Sequence, residues 1–218
     1  MGLPLPVEAG RFGPVFMQCH TSDPARLHKL IPSPQRPARN VRTMLDPATF
    51  VAHPAPGRSC GTCTLCCKVY DVPAVESVAG QWCRHTRQGR GCAIHPTRPD
   101  HCRAFHCLWM TEAWLGAEWK PEKAKMVLAL DPVTKNMNVQ VDPGQPNAWR
   151  REPYYGQLRR WAAASLAQDR LVLVHLNTST TVILPDRDVA LGVFEPGDRI
   201  VRRDRAGVFD VEKVRAGA

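Results

Sequence analysis

Residues 59–109 read SCGTCTLCCKVYDVPAVESVAGQWCRHTRQGRGCAIHPTRPDHCRAFHCLW, and the rest of the chain is arranged around this stretch. Eight of the nine cysteines lie in it, at positions 60, 63, 66, 67, 83, 92, 102 and 107. The ninth, Cys19, stands apart with no partner set around it. A C-x2-C step, Cys60 to Cys63, lets two thiolates turn onto one ion. Cys66 extends it to C-x2-C-x2-C, the run that supplies three corners of an iron–sulfur cubane. Gly57 and Gly61 bracket Cys60, and Thr62 and Thr64 sit between thiols, so the segment is predicted to fold as a knuckle with amides turned toward sulfur. Cys67 follows Cys66 directly. Adjacent side chains point apart, which assigns one of the pair to a second centre or to a core or reactive thiol.

Further along, Trp82 beside Cys83 is expected to pack on the thiols, and Gly89-Arg90-Gly91-Cys92 is a tight turn that delivers one of them. Pro96 and Pro99 stiffen the approach to Cys102 and Cys107, as suits ligands that must be held in place. The candidate ligands are therefore Cys60, Cys63, Cys66, Cys67, Cys83, Cys92, Cys102 and Cys107. His85, His95, His101 and His106 are alternatives that a set of eight thiols does not require. Soft thiolates suit tetrahedral zinc or iron–sulfur chemistry, whereas calcium and magnesium prefer oxygen. The cofactor readings are zinc or iron, the iron including a [4Fe–4S] cluster. Two centres of four thiolates, or one cubane beside a zinc or free thiols, both remain open.

The ordered pattern Cys60-x2-Cys63-x2-Cys66-Cys67, Cys83, Gly91-Cys92, Arg98-Pro99-x2-Cys102-Arg103-x-Phe105-x-Cys107 resembles the YkgJ-like family, described as zinc- or iron-chelating. The resemblance covers about residues 57–110. It implies metal binding and names no substrate. Many relatives carry tyrosine two residues after the glycine–cysteine step, where this chain has His95 three residues after Cys92. A related cysteine pattern occurs in flagellin lysine methylases, but nothing in this sequence marks a methyl-donor pocket. Arg98 and Arg103 read either as donors to thiolate sulfur or to a carboxylate at the site, or as surface charges. The resemblance favours the first.

A chain of 218 residues allows one domain or two small ones, with a core that does not depend on cysteine cross-links. The formal charge of +9 falls once thiolates coordinate metal, so it is weak support for nucleic acid. The start MGLPLPVEAGRFGPVF lacks the layout of a signal peptide, and no apolar run reaches membrane-helix length. The expected location is the cytoplasm, where clustered cysteines act as ligands or redox groups rather than disulfides.

Residues 1–50 carry Pro4, Pro6, Pro14, Pro24, Pro32, Pro34, Pro37 and Pro47 among basic residues and read as a flexible extension, dispensable for metal. Met44 offers a second start. Residues 51–120 form the cysteine-rich metal-binding region. Within it 68–72 reads as strand or turn, 74–80 as a short helix, and 108–120 as a helix ended by Pro121, with Trp109, Trp114 and Trp119 roofing the site. Residues 121–218 form an α+β body. Strands are predicted at 125–130, 137–141, 171–176 (central), 181–184, 199–202 and 208–211, with the clearest helix over 153–169. The fold class is α+β: an irregular cysteine-rich region packed on a small, mostly antiparallel sheet with covering helices.

Three functions compete. The first is a metal-binding protein for chelation, transfer or structural stabilisation. The second is an iron–sulfur redox protein or enzyme. The third is a zinc-stabilised adaptor for nucleic acid or a protein partner. Dispersed basic charge and the lack of an aromatic–basic cassette in the thiol stretch argue against nucleic acid. Ser165, Ser179 and His175 form no local hydrolase arrangement.

Overall fold

The computed structural model describes residues 53–205 and 208–215, together with the backbone of 7–10 and 16–19. In that last part, β1 (Val7–Gly10) and β2 (Phe16–Cys19) pair antiparallel, a pairing the proline count did not announce. The remainder of the 1–50 extension lies outside the described residues.

The cysteine region is built of short pieces. Cys66–Val69 is a single helical turn, α1, in place of the strand or turn expected from Lys68 onward. Residues 74–80 do not form the expected helix. A 3-10 turn at Pro73–Val75 ends on Glu76 at φ 52°, and Ser77 bridges back to Val72. The strands β3 (Thr86–Arg87) and β4 (Gly91–Cys92) make a minimal hairpin, its turn carried by Gly89 at φ 69°. Helix α2 (Asp100–Ala104) follows Pro99, and α3 (Leu108–Thr111) follows Cys107.

The predicted 108–120 helix is broken. After α3 the chain resumes as a 3-10 turn at Ala117–Trp119, and Pro121 opens α4 (Pro121–Ala124) rather than closing a helix. Proline lacks only an N–H that the first turn leaves unpaired in any case. Arg58 replaces the lost helical hydrogen bonds. Its guanidinium donates to the carbonyls of Glu112 (2.8 Å), Ala113 (2.9 Å) and Leu115 (2.5 Å), and also to that of Trp109.

The body is a five-stranded sheet in the order β5-β6-β7-β8-β9. Its members are β5 (Met126–Leu130), β6 (Met137–Val141), β7 (Val172–Leu176), β8 (Ser179–Ile183) and β9 (Asp188–Val193), and α5 (Tyr154–Leu166) lies in the β6-to-β7 connection. Only β6 and β7 pair parallel. This follows from the connections: turns of two, four and six residues reverse the chain, while a helix between strands returns it in the same sense. Asp131 fixes one such turn by accepting the amides of Val133 and Thr134 at 2.9 and 2.6 Å. The strand at 171–176 is central, as its apolar run indicates. Asp186 and Arg187 lie in the turn between β8 and β9, and Asp188 opens β9.

Period-two alternation gives the sheet two buried faces. Met126, Leu128, Val139, Val141, Val172 and Val174 pack under Leu158 and Ala162 of α5. On the other face Leu171, Leu173 and Val182 pack against Ile200 and Val211. Those two residues belong to a separate hairpin, β10 (Arg199–Arg205) and β11 (Val208–Val214), which is paired within itself rather than added to the main sheet. Val127, also off the α5 face, joins the cluster of the cysteine region. That region is therefore seated on the body, and Lys68 of α1 reaches Asp142 at 2.6 Å beside the end of β6.

Candidate metal centre

All eight cysteines of the 60–107 stretch line one cavity of about 120 Å³. On the same measure one water needs roughly 10–15 Å³, so the space exceeds a single small occupant. Three segments supply the wall. The knuckle brings Cys60 and Cys63, with Cys63 N–H donating to the Cys60 carbonyl at 2.9 Å, and α1 brings Cys66 and Cys67. The β3–β4 hairpin carries Cys92, and the Cys83 amide donates to the Cys67 carbonyl at 3.0 Å. Cys102 lies in α2, and Cys107 immediately precedes α3. All eight thiols are free.

Adjacency does not turn the Cys66 and Cys67 side chains to opposite sides. Their sulfurs are 3.9 Å apart on the same cavity, because a helical turn holds neighbouring side chains about 100° apart rather than opposed. Cys66 donates to Cys67. That bond holds Cys66 well above the ordinary thiol range and draws Cys67 down to about 7. Burial pushes Cys60 and Cys63 up, and pushes Cys102 and Cys107 up to about 11. Neutral thiols at neutral pH are thus the resting state of most of the set. Among the described residues, no three His, Cys, Asp or Glu side chains are gathered as a ready-made ion site. The sulfurs surround a space instead of meeting at a point.

The arginines divide. Arg98 lines the cavity, its charge favours the thiolates of Cys60 and Cys67, and its Nη1 contacts His95 Nε2. Arg103 does not line it; its Nε donates to the Arg98 carbonyl at 2.9 Å and it pairs with Asp100 on the surface. His85 and His95 reach the wall, and His101 and His106 do not. Of the tryptophans expected to roof the site, only Trp109 lines it. Trp119 is buried in the body core against Trp161, Trp114 is exposed, and Trp82 is exposed under the Lys68 ammonium.

Sequence reading singled out Arg98 and Trp109 on the cavity wall but missed Tyr70. Tyr70 Oη, Arg98 Nε and Trp109 Nε1 are all buried without a hydrogen-bond partner, and all three residues line the wall. Burying such donors is costly unless something accepts from them. Thiolate or sulfide sulfur is an acceptor of the right kind, and hydrogen bonds to sulfur are a usual feature of cluster sites. The position of Tyr70, one turn beyond Cys66 and Cys67, was the available signal. The donor set and its unpartnered N–H and O–H groups fit a thiolate-bound metal or cluster.

The buried His175 has no place in this site. It lies within the sheet between Asn138 (3.0 Å) and Thr180 (3.1 Å), and burial lowers its pKa to about 3. Comparison with protein-family models, with curated proteins and with solved structures gives no match to this chain. The likeness to the YkgJ-like family is one of sequence pattern, the spaced cysteines with Arg98-Pro99 and Arg103-x-Phe105. Among the described residues no helix is long and apolar enough to cross a membrane.

Proposed function

We propose that this chain is a thiolate metal-binding protein that takes up zinc or iron in the 60–107 region. Metal chelation, transfer or structural stabilisation is its work. The observation that carries the reading is that eight cysteines, scattered over 48 positions of sequence, line the wall of one cavity. Most of these thiols are held neutral by burial, and a cation among them would displace their protons and replace mutual repulsion with coordination. Eight free thiols on one wall also belong in a reducing compartment such as the cytoplasm.

A second reading, an iron–sulfur redox protein, is favoured by one feature in particular. The thiols enclose a volume, and three residues of its wall carry buried donors without a partner. A cluster has body enough to fill such a space and sulfide acceptors for the donors, and when bound it supplies one-electron chemistry. In either case Cys60, Cys63 and Cys66 are the core of the ligand set, and Arg98 balances negative charge beside them.

The test is anaerobic purification followed by an absorption spectrum and analysis of zinc, iron and acid-labile sulfide on one sample. Colourless protein with stoichiometric zinc supports the first reading. Brown protein with iron and labile sulfide supports the second. Folded protein that carries no metal and takes up none on addition of zinc or ferrous iron with sulfide overturns both.

A further inference from the structure

We infer that the eight thiols are two four-thiolate centres, Cys60, Cys63, Cys66 and Cys107 in one and Cys67, Cys83, Cys92 and Cys102 in the other, meeting at the Cys66–Cys67 peptide. This rests on the metal-binding reading and assigns its ligands.

Packing separates the sets. Cys107 is buried in an apolar cluster with Leu65, Val69, Tyr70, Met110 and Val127, and the cysteines that pack against that cluster are Cys60, Cys63 and Cys66. Cys67, Cys83 and Cys92 are tied to one another by backbone, and Cys102 completes the eight on the cavity wall. The Cys83 amide donates to the Cys67 carbonyl at 3.0 Å, the Thr86 amide donates to the Cys83 carbonyl at 2.9 Å, and Thr86 pairs with Cys92 across the hairpin.

The sequence order fits as well. C-x2-C-x2-C with a remote fourth cysteine is the ligand order of a cubane site. The second set draws its members from four separate positions, which the helix α1 and the hairpin bring to one side. Each zinc bound displaces a proton from every thiol that is still protonated.

The experiment uses the full chain purified anaerobically. Metal per chain is counted by native mass spectrometry, and thiols are alkylated with iodoacetamide and mapped by peptide mass spectrometry. Cys63→Ser should lose about half of the bound metal and open Cys60, Cys66 and Cys107 to alkylation, with the other four still protected. Cys92→Ser should give the complementary pattern. Wild-type protein emptied by a chelator and refilled stepwise with zinc should gain protection in two groups of four, a readout that does not depend on either variant folding. A mixed group during refilling, such as Cys102 protected together with Cys60, overturns the partition and leaves metal binding standing. So does loss of all metal from either variant at unchanged circular dichroism. Wild-type thiols that are fully alkylated both as purified and after zinc addition overturn the partition and the metal-binding reading together.

Discussion

Cys66 and Cys67 show how one peptide bond can give neighbouring thiols opposite behaviour. Cys66 keeps its proton because it donates to Cys67 from a buried position, and Cys67 gives its proton up near 7 because it accepts that bond and faces Arg98. Cys60, Cys63, Cys102 and Cys107 side with Cys66, all raised by burial from an ordinary value of 9.0. A raised folded-state pKa means that the unfolded chain loses its proton first. The stability linked to these groups is whole below about 9 and is lost as pH climbs through about 11. We therefore expect the metal-free protein to lose thermal stability steadily between pH 9 and 11, whereas the metal-loaded protein, with no thiol protons left to lose, holds its melting temperature. Melting curves of both forms across that range check this. Equal slopes would show that the buried thiols do not govern alkaline unfolding.

At the scale of elements, the hairpin that carries Cys92 depends on Gly91. Its φ is 93°, and a Cβ there would lie 2.7 Å from the Gly61 carbonyl oxygen, a backbone atom that cannot swing aside. The knuckle and the hairpin are in contact because this residue has no side chain. Gly89, in the same turn at φ 69°, has nothing within 4 Å of its Cβ position. Gly91→Ala should cost about 3 kcal/mol and loosen both Cys92 and the knuckle, while Gly89→Ala should cost about 1 kcal/mol from backbone conformation alone. Thermal unfolding gives the costs, and the alkylation rates of Cys60 and Cys92 show whether the two loops have parted. Equal effects of the two substitutions would mean that the close approach carries no weight.

For the whole molecule, the cysteine region and the body share Val127 and the Lys68–Asp142 pair, while the Arg58 clamp on residues 109–115 braces the cysteine region itself. Removing metal should be felt across this junction by one tryptophan in particular. Trp109 lines the cavity, while Trp119, Trp149 and Trp161 belong to the core under the sheet. Chelation should change intrinsic fluorescence, and Trp109→Phe should remove most of that change while leaving the body's unfolding transition in place. A full response in the Trp109→Phe protein would place the coupling elsewhere.

The sequence by itself determined which thiols come together and most of the body. The cysteine cluster was legible because all eight thiols of the cavity wall lie in one 48-residue stretch. The strands at 126–130, 137–141 and 172–176 and the helix at 154–166 were legible because each carries a clear period of its own. Composition could not show that Pro121 opens a helix, that Arg58 stands in for helical hydrogen bonds over residues 112–115, or that 199–214 forms a hairpin apart from the sheet. Those outcomes turn on partners far away in the chain. The same holds for the site. Sequence gathered eight thiols into one stretch but left their grouping open, since adjacency in the chain says nothing of which wall a thiol joins. Tertiary structure brought them to one cavity: Leu65, Val69 and Val127 pack on one side of α1, the hairpin carries Cys92 to the wall, and Arg98 lines that wall while Arg103 is turned out to solvent.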